Sequence, residues 1–405
     1  MRPFGKWRPV LGIVLLVGCA AVLLAACGGS SSSSSSTSSS GSEESSTVSS
    51  EGEAEGGSES GGESEGGAVA GIPAPVTEPP TEFPIATPLK EKPKPHNLTW
   101  LACSLPICQE ALSEGYHEAA GALGWPIKQI NYETLKAAEG VQTALNENPE
   151  YIAITGIPPA LYEAQAKEAI KKKIPILSGY DTTPPEPTKN GLYYQYGNAA
   201  AIGLEGEEVG KWMIHDSEGK ANAVTLTIGE YPILTAEVEA LEGTFKECPE
   251  CSLGTISVTA EEVGEGKVSN KLVAYLQSNP ETTYVEYTFS DLSTGVGAAL
   301  KGAGLNEKVT QVGVNASTAV MHEIAKGEQA AWTMQPQRYG DWLTLDVAAR
   351  LSEGMPLEPY EEEGLLPTWV VDNAETAESL LKESEGLWNG PEGFEEKFEE
   401  LWGLK

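Results

Sequence analysis

From Asn97 onward the sequence alternates short β-rich runs with helical stretches of roughly 10–15 residues, and few folds tolerate that rhythm. It is clearest between Tyr284 and Gly340. The run Tyr284–Phe289 stops at a polar tip, Ser290-Asp291, and a small-residue helix follows to Gly304. Val309–Val314 stops at Asn315-Ala316-Ser317, and after another helix Ala331–Met334 leads to Gln335. In a parallel α/β sheet the loops that follow the strands share one edge, where ligands bind. Three polar tips on that edge point to a recognition site.

The same alternation runs through Leu98–Cys103, Ile127–Asn131, Tyr151–Thr155, Ile174–Ser178 and Leu192–Tyr196, then restarts at Ala223–Ile228 and Thr255–Thr259. Such strands and helices predict parallel sheets with right-handed crossovers. The body is too long for one comfortable core, so the expected class is α/β with two doubly wound parallel-sheet lobes.

What precedes Asn97 has a different composition. Arg2, Lys6 and Arg8 form a basic start, and Val10–Leu24 is an apolar run too short for a confident membrane span. Leu24-Ala25-Ala26-Cys27-Gly28 looks like a bacterial lipobox. That resemblance implies removal of a lipoprotein signal peptide, 1–26, and a lipid thioether on Cys27; an ordinary signal peptide with a chance cysteine is the alternative. Residues 27–96 read as a disordered Ser/Gly/Glu/Pro-rich tether. About 70 residues of flexible coil span roughly 45 Å r.m.s., enough to lift a domain off a membrane. The expected location is the outer face of the plasma membrane. A net charge of −33 over 405 residues repels phosphate backbones, which excludes nucleic acid as a partner.

Four cysteines remain beyond the signal and Cys27: Cys103, Cys108, Cys248 and Cys251. Outside the membrane they are expected to oxidise, and proximity favours two local disulfides. A zinc site is the alternative, but no histidine lies near either pair. Redox catalysis fits Cys248-Pro249-Glu250-Cys251 poorly, because this motif closes a helix before a strand instead of opening one. No metal and no cofactor is expected.

Five pieces carry a family resemblance over nearly all of Asn97–Asn373: Gly115-Tyr116-His117-Glu118-Ala119-Ala120 before Leu123-Gly124; Ile174-Pro175-Ile176-Leu177 before a polar turn; Gly297–Gly304; Val312-Gly313-Val314-Asn315; and Gly327 with Trp332–Gly340. On these the chain resembles type I periplasmic solute-binding proteins of the ribose/galactose-binding class, the receptor components of ABC importers. The resemblance implies two lobes joined by three crossover strands near Tyr196, Gln335 and Glu361, with ligand closed between them. It divides the body into 97–196 plus 336–361 for the N-terminal lobe and 197–335 plus 362–373 for the second, with C-terminal helices over 374–405.

The resemblance also carries ligand contacts onto strand-end loops. In the first loop the contact positions hold Pro106, Cys108 and Gln109, with no aromatic ring there; a loop staple without ligand contact is the alternative. Tyr180 and Asp181 follow Ile174–Ser178, and Asp181 could instead close an Asx turn before Thr182-Thr183-Pro184. Glu230 and Tyr231 follow Ala223–Ile228. Ser290, Asp291, Asn315 and Gln335 fall on the positions that hydrogen-bond ligand hydroxyls, with helix capping as their structural alternative. Trp332 reads as core or, less favoured, as a stacking platform. Only Arg338 lies near a cleft segment, so an anionic ligand is disfavoured and a neutral or cationic one expected.

The function expected is a lipid-anchored receptor that closes on a small polar ligand, such as a sugar or polyol, and passes it to ABC permease subunits, working as a monomer. A sensor ectodomain that signals to a membrane receptor is the alternative. A surface hydrolase is less favoured, since no nucleophile elbow or metalloprotease motif is present. No catalytic residue is assigned. A DNA-binding repressor of similar fold is excluded by the export signal and the missing basic helix-turn-helix.

Overall fold

The computed structural model describes residues 69–104, 106–109, 111–133 and 136–405. The signal segment, Cys27 and the tether up to residue 68 lie outside the described residues.

In the first lobe β1 (Leu98–Cys103) is followed by a helical turn, α1 (Pro106–Gln109), and by α2 (Ala111–Leu123). Then come β2 (Ile127–Tyr132), α3 (Ala137–Asn146), β3 (Tyr151–Thr155), α4 (Glu163–Lys172), β4 (Ile176–Gly179) and β5 (Leu192–Tyr196). The sheet order is β2-β1-β3-β4-β5, all parallel. Helices cover both faces of such a sheet, so a central strand reads as continuously apolar. Every residue of β1, LTWLAC, is buried, whereas edge strand β2, IKQINY, keeps Lys128 exposed.

The chain crosses into the second lobe at α5 (Ala199–Asp216), whose first turn is capped by the Asn198 side chain accepting from the Ala200 and Ala201 N–H groups. There follow β6 (Asn222–Ile228), α6 (Pro232–Lys246), β7 (Ser252–Val258), α7 (Ala260–Gly264), α8 (Val268–Ser278), β8 (Tyr284–Tyr287), α9 (Val296–Ala303), β9 (Thr310–Gly313), α10 (Thr318–Ala325) and β10 (Ala331–Met334). Next, α11 (Gln337–Ser352) and α12 (Pro359–Glu363) return to the first lobe. β11 (Trp369–Val371) adds an antiparallel edge strand to the second sheet, whose order is β11-β10-β9-β8-β6-β7. α13 (Ala374–Ser384) packs against α10, and α14 (Phe394–Leu401) goes back to the first lobe. α5 and α6 approach closely at Gly206, where a Cβ would stand 2.5 Å from the Glu237 carbonyl.

Both sheets are wound alike. The opening strand, β1 or β6, lies between the second and third strands of its lobe, so each sheet reverses direction beside that strand. α14 seats an aromatic row on α11, with Trp402 stacked on Trp342 at 5.3 Å between centroids. In the second lobe Trp332 is wholly buried and stacks on Tyr287 at 5.9 Å, which makes it core and not a ligand platform. Both local disulfides are present, Cys103–Cys108 and Cys248–Cys251.

One segment departs from its composition. The coil expected to run to His96 is, over residues 69–96, laid across the body. Ile72 joins the second lobe's core, and the Val76 N–H donates to Glu208 Oε2 at 2.7 Å. Farther along, Ile85 and Leu89 join the first lobe's core, and the Leu89 N–H donates to the Leu401 carbonyl at 2.8 Å. The average composition is poor in apolar residues, but the few present fall at intervals that reach seats on the body. Each buried Ile or Leu contributes about 1.5–3 kcal/mol, and the prolines lower the entropy lost on ordering.

Candidate functional site

Ligands of doubly wound sheets bind outside the carboxyl ends of the strands where the winding reverses. Here the two reversal points face each other across a cavity of about 170 Å³. Cys103 and Thr155, at the ends of β1 and β3, line it from the first lobe; Ile228, ending β6, and Thr288, just past β8, line it from the second. Leu112, Ile157 and the Cys103–Cys108 bridge extend the first wall. Ile233 and Leu234 from α6, Val263 from α7 and Phe289 extend the other. The surface presented to the cavity is almost wholly carbon.

Two cavity residues sit in left-handed backbone, Tyr180 at φ 51° and Asn315 at φ 54°. Asn adopts that region readily, whereas for a bulky ring it is an outlier of the kind that marks functional sites. The Tyr180 ring is held edge-on to Tyr196 at 5.6 Å and lies over Gly197, where a Cβ would meet it at 2.9 Å. Asn315 donates its side-chain amide to Glu205 Oε2 at 2.7 Å, and the Thr333 hydroxyl donates to Oε1 at 2.9 Å. Burial pushes the Glu205 carboxyl up to about 8, the two hydrogen bonds pulling the other way. Behind it Glu237 and Glu286 are also buried and held well above the usual range, by desolvation first and, for Glu237, by the neighbouring carboxyls second.

The structure divides the residues predicted from sequence. Cys108, Tyr180, Tyr231, Asp291 and Asn315 line the cavity. Several polar candidates face elsewhere and are used internally. Asp181 is buried and its Oδ1 accepts from the Thr183 N–H at 2.8 Å, which forms the Asx turn. Glu230 accepts from the Ala260 N–H at 2.8 Å, and Gln109 donates to the Cys103 carbonyl. Ser290 is buried and does not line the cavity; its backbone carbonyl accepts from the Ser293 hydroxyl at 2.8 Å. Gln335 donates to the Ala201 carbonyl and to the Thr368 hydroxyl, both at 2.9 Å, so it ties the crossover together beside the cavity. The Pro106 side chain lies outside the described residues. Arg338 is engaged by Glu118 and, at 2.8 Å, by Glu395, which leaves it unavailable to an anion in the cleft.

Sequence reasoning missed the apolar lining. Polar tips are visible in a sequence, but Ile157, Ile233, Val263 and Phe289 look like ordinary core residues. One signal was present: Thr288-Phe289 and Gly156-Ile157 directly follow the buried strands, where side chains leave the sheet and enter the edge.

A family model described as periplasmic binding protein domain matches residues 107–356. Solved structures with the same fold include a 5-methylthioribose transporter solute-binding protein from Thermotoga lettingae, 16% identical, covering 79% of this chain and 100% of that one with a TM-score of 0.61. A galactofuranose binding protein is 17% identical, covering 72% and 99%, with a TM-score of 0.62. A carbohydrate transporter from Acidothermus cellulolyticus, in complex with myo-inositol, is 17% identical, covering 72% and 99%, with a TM-score of 0.59. No curated protein sequence matches the chain.

Proposed function

Given that the chain belongs to the periplasmic binding protein family, we propose that it is a lipid-anchored, extracytoplasmic receptor that closes its lobes on one small solute and delivers it to an ABC importer. It is a binding protein and not an enzyme. The observation that carries the proposal is the cavity between the two opposed winding reversals, lined from both lobes, which is where closure would trap a ligand. No lysine or arginine lines it, so the solute is not an anion. The structural neighbours make sugars and polyols the starting candidates.

Anchoring rests on the lipobox-like Leu24–Gly28, and labelled palmitate should enter the wild-type chain but not a Cys27→Ala variant. No helix among the described residues is long and apolar enough to cross a membrane. The receptor is read as a monomer that meets permease subunits in its closed form. Native mass spectrometry of the purified body should show a co-purifying small molecule, and its removal should raise the radius of gyration measured by X-ray scattering. A body with no bound solute, and no compaction with any member of a broad solute panel, would refute the receptor reading.

A further inference from the structure

We infer that the cleft selects a small uncharged molecule with an apolar body and one or two hydrogen-bonding groups, not a polyhydroxylated sugar; this rests on the receptor reading above and specifies its ligand. Two observations carry it. The cavity wall is carbon on both lobes: Leu112, Ile157 and a disulfide on one side, Ile228, Ile233 and Phe289 on the other. Many of the polar side chains in the strand-end loops, which a sugar would need, are turned elsewhere. Glu230 and Gln109 serve backbone groups, Asp181 and Gln335 do so too with one buried oxygen each left unpartnered but do not line the cavity, and Arg338 serves two glutamates.

What remains is sparse and specific. The hydroxyl of Thr288, a residue 1% exposed, has no hydrogen-bond partner, and neither have the buried hydroxyls of Tyr180 and Thr155. All three residues line the cavity, Thr155 and Tyr180 from the first lobe and Thr288 from the second. Buried polar groups are normally paired, so three orphan hydroxyls on residues of one cavity call for a ligand that brings a donor or acceptor to them. A hexose brings about five hydroxyls, and each one stranded against carbon would weaken binding by about one to two orders of magnitude. Size fits an apolar body too: an apolar cavity of about 150 Å³ holds benzene, and this one is about 170 Å³. A substituted aromatic ring, or an alicyclic alcohol of similar bulk, has the right shape and chemistry. Phe289 and the Tyr180 and Tyr231 rings would contact its faces and edges.

The test is a melting series on the purified chain, freed of bound solute by unfolding and refolding, with p-cresol, indole, 2-phenylethanol and toluene against D-ribose, D-galactose and myo-inositol. At about 100 times its Kd, an aromatic probe is expected to raise Tm by about 3–8 °C, with no shift from the sugars. Thr288→Val keeps the shape and removes the hydroxyl; it is expected to weaken p-cresol by about 5–20-fold and leave toluene unchanged. A sugar or polyol that raises Tm, and displaces the aromatic probes, overturns the inference while the receptor reading stands. Equal weakening of p-cresol and toluene in Thr288→Val also overturns it. No shift from any probe, together with no compaction by any solute, removes both.

Discussion

The side-chain amide of Asn315 donates to the carboxyl of Glu205 at 2.7 Å, joining residues 110 positions apart in sequence. A cavity residue is thus oriented by the helix that first enters its lobe. Glu205→Leu leaves the Asn315 amide and the Thr333 hydroxyl without their partner and is expected to cost about 1–3 kcal/mol in urea unfolding. Glu205→Gln can accept from Asn315 and donate to Thr333, so it should stay within about 0.5 kcal/mol of wild type. Equal losses in the two variants would show that packing, not the hydrogen bonds, holds Asn315.

Stability should fall as pH rises from about 4.5 to about 8. In the unfolded chain these glutamates titrate near 4.5, while folding lifts Glu205 to about 8 by burial and raises Glu237 and Glu286 as well. The folded state therefore holds protons that the unfolded state releases. The stability linked to them is complete below pH 4.5 and is lost as pH climbs through the folded values, by about 1.4 kcal/mol per unit for each such acid. Melting scans at pH 5.5 and 8.0 should give the higher Tm at 5.5. General acidity pushes the same way, so Glu237→Gln isolates the buried carboxyls; both Glu237 oxygens lack partners, and this variant should flatten the pH dependence. An unchanged slope would remove Glu237 from the account.

Gly197 sits at φ 59° beneath the Tyr180 ring, with room for no Cβ beyond 2.9 Å from it. Gly197→Ala adds strain and displaces the ring, and is expected to cost about 1–3 kcal/mol and to weaken ligand binding at least several-fold. Denaturant midpoints and a binding isotherm check the two effects separately. Binding equal to wild type would free Tyr180 from any part in the site.

The Cys103–Cys108 bridge closes a five-residue separation directly at the cavity wall. Loss of the crosslink is expected to cost about 2 kcal/mol from chain entropy and to soften the loop that carries α1. Cys103→Ser/Cys108→Ser should therefore melt lower and bind more weakly. A matching Cys248→Ser/Cys251→Ser variant, away from the cavity between α6 and β7, should melt lower with its affinity intact.

The two-lobed fold was legible because parallel strands buried on both faces are continuous apolar runs, as in β1, and because each ends in a loop that opens a helix. The site was legible only in part. Cys108, Tyr180, Tyr231, Asp291 and Asn315 reach the cavity; Asp181, Glu230, Gln109 and Gln335 sit in the same loops and turn to the backbone instead. Ser, Asp and Gln satisfy backbone groups as readily as ligands, and sequence does not record the direction of a side chain. The apolar lining was hidden for the converse reason: Ile157 in a cleft and Ile154 in a core have the same chemistry. Residues 69–96 depart from the coil their composition implies because composition averages over a window, while Ile72, Ile85 and Leu89 act one at a time.

The arm has a mechanical meaning. Val76 is tied to the second lobe through Glu208 and Val370, while Phe83 is seated on the first, 5.0 Å from the Phe398 ring centroid. Six residues separate these two anchors, and the seven Cα-to-Cα steps from one to the other cannot reach beyond about 25 Å. The span between them, with Pro79 and Pro80 in its middle, is a leash of fixed length. However weakly the lobes attract each other without ligand, they cannot swing apart beyond that reach unless one anchor leaves its seat.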